Sequence, residues 1–172
     1  RVGKPVLSTG QINTRTLINM TESYQTLRVL RDGAILRVTI DNPPLNLVDT
    51  PMIADLDRLG LSLLDDTEMK VVIFDSANPD FFIAHADLGM FLPDAPPPAT
   101  RPTESIHEIL NRFHTLPQAT IGVIEGRAIG GGAEVLMALD MRFAARSRAV
   151  LGMFEAALGT IPGAGGTQRL PR

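Results

Sequence analysis

Three glycines in a row, Gly130-Gly131-Gly132, stand directly before Ala133-Glu134 and the apolar run Val135-Leu136-Met137-Ala138-Leu139. Without side chains over that stretch, a ligand or a neighbouring element meets the main chain itself. The pattern fits a chain that leaves a strand, turns sharply and enters a helix, with unpaired N–H groups at the turn. An acid inside an otherwise apolar helix start needs a partner or a task. Backbone donors beside a carboxylate suit reactions of carbonyl compounds, in which negative charge builds on oxygen. A second acid follows in Phe154-Glu155, which leads into Gly159-Thr160-Ile161-Pro162-Gly163-Ala164-Gly165-Gly166-Thr167-Gln168.

Composition narrows the field around that feature. At 172 residues and 44% hydrophobic content the chain can bury one substantial core. A formal charge of −3, from 16 basic and 19 acidic residues, gives no electrostatic case for nucleic acid. The absence of cysteine excludes disulfides, thiolate metal ligands and a cysteine nucleophile. No apolar run approaches the roughly 18 residues of a membrane span. Nucleotide readings fail on the motifs. Neither glycine cluster ends in Gly-Lys-Ser/Thr, and the run from Gly163 to Gln168 departs from a dinucleotide fingerprint at its last position.

The pass along the chain predicts a hairpin of 25–31 and 34–40 about Asp32-Gly33. Thr50 then reads as the N-cap of an amphipathic helix over 51–65, with Pro51 at its first position. Val71-Val72-Ile73-Phe74 reads as a buried strand. Five prolines in 93–102 predict an extended loop, and a second helix is expected over 103–115. A strand at 119–124 is expected to lead to the glycines, and Met141-Arg142-Phe143-Ala144-Ala145 to form another. Alternating β and α elements after a hairpin imply one α/β domain with a mostly parallel sheet. His107 and His114 lie seven apart on the second helix, not the four of helical metal ligands, and are assigned to the surface or to packing.

Several stretches, in order, resemble the crotonase superfamily of enoyl-CoA hydratases and isomerases. They are Pro44-Leu45-Asn46-Leu47, Phe82-Ile83-Ala84-His85-Ala86-Asp87-Leu88, the run from Gly126 to Glu134, Asp140, and the run from Glu155 to Arg169. The resemblance covers about 24–172. It implies the ClpP/crotonase fold of ββα units around a mostly parallel sheet, with residues 23–172 as a core domain whose C-terminal helices are missing. Residues 1–22, which hold Arg1, Lys4 and Arg15 but no acid before Met20, are expected to be an unstructured leader.

By the same resemblance, the backbone N–H groups of Ala86 and Gly131 form an oxyanion hole, and Glu134 and Glu155 are the two carboxylates that handle one water molecule. The implied substrate is an acyl-CoA thioester, with no metal and no cofactor beyond the coenzyme A of the substrate. Its contacts are expected at Leu45, Asn46, Leu47, Ala84, His85, Asp87, Leu88 and Gly130. The implied partners are copies of the chain, as a homotrimer or hexamer when complete, with neither nucleic acid nor membrane. The expected location is cytoplasmic, or mitochondrial if the leader is a presequence. Position 85 holds His where the family usually has Gly, which is expected to alter the turn that presents the Ala86 N–H. The leading expectation is an enoyl-CoA hydratase; an isomerase, another acyl-CoA enzyme of the family, and a non-catalytic acyl-CoA-binding or assembly module remain as alternatives.

Overall fold

The computed structural model describes residues 23–94 and 102–171; the expected leader and most of the proline-rich loop lie outside them. In chain order the elements are β1 (Leu27–Asp32), β2 (Ile35–Ile40), α1 (Thr50–Leu64), β3 (Val71–Ser76), β4 (Phe81–Ile83) and α2 (Ile106–Thr115). They continue through β5 (Ala119–Ile124), β6 (Arg127–Ile129), α3 (Gly131–Met137), β7 (Met141–Ala144), β8 (Val150–Gly152) and α4 (Gly166–Arg169). Single 3₁₀ turns occupy Leu88–Phe91 and Phe154–Leu158.

The hairpin forms as expected. β1 and β2 pair antiparallel with Asp32 opposite Ile35, and Gly33 takes the positive φ that the turn needs. From β2 onward the pairing is parallel, and the main sheet has the order β1-β2-β3-β5-β7. Leu36, Val38 and Ile40 of β2 join Val72 and Phe74 of β3 in the core, with Met52, Leu56, Leu59 and Leu63 of α1 and Ile109, Leu110 and Phe113 of α2. Each such side chain contributes about 1.5–3 kcal/mol on burial. The rings of Phe74 and Phe113 meet edge to face at 5.5 Å.

Two local expectations need correcting. Asp49, not Thr50, caps α1: its carboxylate accepts the Met52 N–H at 2.9 Å, while the Thr50 hydroxyl faces the Met90 sulfur. The second helix starts at Ile106 because Ser105 and Glu108 form a reciprocal capping box there.

The glycine turn also has a different approach from the one expected. β5 ends at Ile124, and a separate three-residue strand, β6, carries the chain to Gly130. β6 lies between β4 and β8 in a second, parallel sheet. Strands of three residues are too short to show a period-2 pattern, so the sequence hid this sheet. Helix α3 packs on β4 and β6 at very short range. A Cβ on Gly132 would overlap the Ile83 carbonyl oxygen and lie 2.8 Å from the Ile83 Cβ.

Between α1 and α2 sits a buried ion pair. Arg112, 7% exposed, donates to the Asp57 carboxylate at 2.8 Å and also pairs with Glu104. The Thr103 N–H and hydroxyl each donate to the other Asp57 oxygen at 2.6 Å. Burial pushes the Asp57 carboxyl toward a higher pKa, but the Thr103 bonds and the Arg112 guanidinium outweigh it and hold it below the usual value. A carboxyl depressed in the folded state stabilises the fold fully above its unfolded pKa, and that stabilisation is lost as pH falls through the folded value.

Two stability predictions follow from these contacts. Asp57→Asn is expected to cost about 3 kcal/mol at neutral pH, and the deficit should shrink as the pH falls below about 4. Thermal unfolding of both proteins across an acid pH series reads this directly; a constant deficit would contradict it. Gly132→Ala is expected to cost about 1–3 kcal/mol by forcing α3 off β4, measured by denaturant unfolding.

Candidate active site

Two backbone segments build one wall of the site. The stretch containing Asn46 and Val48 runs beside that containing Ala84 and Ala86, joined by Ala84 N–H to Leu45 O at 3.2 Å and Val48 N–H to His85 O at 3.0 Å. Asp87 N–H returns a bond to Val48 O at 2.9 Å. Asn46, at φ +54 and 1% exposed, secures the corner. Its side chain donates to Ser76 Oγ and the Phe82 carbonyl and accepts the Asn42 N–H.

The second wall is the glycine turn, whose three glycines answer three separate demands. Gly130 takes φ +53 and leaves no room for a side chain, since a Cβ would lie 2.8 Å from Glu155 Oε1. Gly131 sits where a Cβ would be 3.5 Å from the Ala86 nitrogen, so the two residues face one another. Gly132 provides the close approach to Ile83. Among the described residues, neither the Ala86 nor the Gly131 N–H donates a hydrogen bond. Two unspent donors therefore lie side by side, as a carbonyl oxygen gathering charge requires.

Both glutamates reach the same place. Glu134 is 2% exposed, and its Oε1 accepts the N–H groups of Ala164 at 2.8 Å and Gly166 at 2.7 Å. The glycine-rich run after Pro162 is thus a cradle for the protein's own carboxylate, which fixes its direction. Glu155 comes from the 3₁₀ turn after β8, and its Oε2 is buried without a hydrogen-bond partner among the described residues. An acceptor in that state gains from a hydrogen-bond donor supplied by a bound group.

Ala86, Gly131, Glu134 and Glu155 all line one cavity of about 600 Å³. Its remaining wall is largely apolar, with Ile53, Leu110, Val135, Phe154 and Leu158. A volume of this order suits a small-molecule ligand, and few polar groups converge on it. Among the described residues, no three His, Asp or Glu side chains come together as metal ligands would.

The other residues singled out in the sequence divide between lining and scaffold. His85, Leu88 and Gly130 line the cavity. Asn46 and Ala84 are buried and spent on internal hydrogen bonds, so they shape the wall. Asp87 caps the 3₁₀ turn by accepting the Gly89 N–H at 2.9 Å. Leu45 is exposed and Leu47 half-buried, and neither lines the cavity. His85 has no positive φ, so its side chain fits the turn without strain. His107 and His114 are exposed, as assigned. Nothing in the sequence signalled the apolar lining, because Ile53 and Leu110 stand in helices whose apolar positions look alike whether they face core or cavity. The Glu134 cradle was missed as well, although the glycines of 163–166 signalled that a backbone approach occurs there.

Comparison with known proteins shows the family and the fold. The family described as enoyl-CoA hydratase/isomerase matches residues 31–172. An Arabidopsis thaliana protein named "Probable enoyl-CoA hydratase 2, mitochondrial" is 36% identical over 99% of this chain and 58% of its own length. A solved structure from Streptomyces avermitilis, assigned to the enoyl-CoA hydratases, is 39% identical, with a TM-score of 0.77 over 90% of this chain and 56% of that one. A Thermobifida fusca YX protein with the same assignment, solved in complex with acetoacetyl-CoA, is 27% identical, with a TM-score of 0.72 over 84% of this chain and 60% of that one. The chain thus spans little more than half the length of these relatives. On the family match, the shared fold and the sequence identity together, the chain belongs to the enoyl-CoA hydratase/isomerase family of the crotonase superfamily.

Proposed function

We propose that this chain carries the catalytic centre of an enoyl-CoA hydratase. The observation behind this reading is the convergence of two unspent N–H donors and two carboxylates on one apolar cavity. The acyl-CoA complex of the Thermobifida fusca relative supports a coenzyme A thioester as the substrate class.

The chemistry follows from the arrangement. The thioester oxygen of a 2-enoyl-CoA lies against the N–H groups of Ala86 and Gly131, and the acyl chain occupies the apolar part of the cavity. One glutamate takes a proton from water as its oxygen bonds to C3. The C2=C3 electrons move toward the carbonyl, giving an enolate whose charge the two donors hold. One such donor contributes about 3–4 kcal/mol in the transition state. The other glutamate delivers a proton to C2, the enolate collapses to the thioester, and the product is a 3-hydroxyacyl-CoA. The Ala164 and Gly166 bonds to Glu134 keep its carboxylate aimed through this sequence.

In the full-length protein, Glu134→Gln and Glu155→Gln are each expected to lower hydration of 2-butenoyl-CoA by about 10²–10⁴-fold, with product identified by mass. Wild-type hydration that survives both substitutions would overturn the reading, and a shifted double bond without water uptake would make the protein an isomerase. Gly131→Ala is expected to fold, because its Cβ makes only ordinary contacts at 3.5 Å, but to crowd the thioester oxygen and lower kcat by about 10²-fold.

A further inference from the structure

His85 is a cavity-lining side chain that the proposed reaction leaves without a task. Its ring nitrogen Nδ1 lies 2.8 Å from the Ala86 carbonyl oxygen. A carbonyl oxygen has no hydrogen to give, so Nδ1 carries it and the imidazole is the donor in this bond.

The value of that bond appears when the polar groups around Ala86 are followed one at a time. The peptide joining His85 to Ala86 has its carbonyl bound by the Val48 N–H at 3.0 Å, and its own N–H is the unspent donor facing Gly131. The peptide joining Ala86 to Asp87 gives its N–H to Val48 O at 2.9 Å, and its carbonyl accepts from His85. Three of the four groups are tied, and the one left over belongs to a residue that lines the cavity. The imidazole bond closes a short loop from the residue 85 side chain to the residue 86 carbonyl. That loop spans the backbone torsions between the two residues, and those torsions set where the Ala86 N–H points. Val48 alone would leave residue 86 held along one edge.

We propose that His85 is a positioning residue for the carbonyl-binding pair, clamping Ala86 so that its N–H stays directed at the thioester oxygen. The inference rests on the reading of Ala86 and Gly131 as that pair. Preorganised donors stabilise charge because they need no reorientation as the reaction proceeds, and a donor free to swing loses part of that advantage. Polarisation along the bonded chain of peptides adds to the effect.

The test uses full-length protein and butanoyl-CoA labelled with ¹³C at the thioester carbonyl, a saturated probe that cannot be hydrated. Infrared difference spectra report how far binding lowers the carbonyl stretch. His85→Asn keeps a nitrogen donor at the δ position, and His85→Leu removes it with similar bulk. The expected result is a lowered stretch in the wild type, most of it retained in His85→Asn and most of it lost in His85→Leu. With 2-butenoyl-CoA, kcat of His85→Leu should fall about tenfold, less than for outright loss of a donor. KM and the thermal unfolding midpoint should stay near wild type. If the leucine variant is unstable, His85→Ala removes the same donor without bulk and is read identically. A lowered stretch and full kcat in the donorless variants would overturn the clamp while leaving the oxyanion pair intact. No lowering in the wild type itself would overturn the pair, and the clamp with it.

Discussion

The short distance between α3 and β4 governs the rest of the site, and it exists because Gly132 has no side chain where the Ile83 carbonyl comes closest. With α3 seated there, the Gly131 N–H stands beside Ala86, the next turn carries Glu134 inward, and Val135 and Leu136 enter the core. A larger residue at 132 would separate the two donors even if every other side chain stayed in place. The packing of one helix on one short strand is thus a condition for the proposed chemistry as well as for stability.

Around that contact the molecule spends its polar groups in two ways. Asn46, Asp49 and Asp57 are satisfied by backbone or side-chain partners inside the fold, and they fix corners and helix ends. The Ala86 N–H, the Gly131 N–H and Glu155 Oε2 are left without partners among the described residues, and all three residues line the same cavity. Asp75 Oδ1 and Gln118 Oε1 are also buried without partners among the described residues, away from this cavity, so it is the convergence of unpaired groups on one cavity that supports the proposed site. Glu134 is of the first kind, held by the cradle from Ala164 to Gly166, yet it lines the same cavity.

Much of this was legible in the chain, for identifiable reasons. Asp32-Gly33 announced the hairpin through turn chemistry, and the amphipathic pattern over 51–65 announced α1. The glycines before Glu134 and the second acid at 155 marked where bare backbone and carboxylates would meet. Illegible were the features made by long-range contact. The small sheet of β4, β6 and β8 consists of three-residue strands with no periodic signature. The N-cap of α1 depended on which neighbouring oxygen reached the Met52 N–H, and two adjacent candidates competed for it.

The sequence by itself determined which groups were available: glycines that free the backbone, two glutamates among apolar residues, and no thiol to offer a different chemistry. It also determined the alternation of β and α elements, because local periodicity and turn residues are written in consecutive positions. Only the tertiary structure decided that Ala86 and Gly131 would stand together, that Ala164 and Gly166 would hold Glu134, and that Asn46 would brace the wall. Those pairings join residues about 30 or more positions apart, and their geometry depends on sheet register and helix packing, which no local pattern encodes.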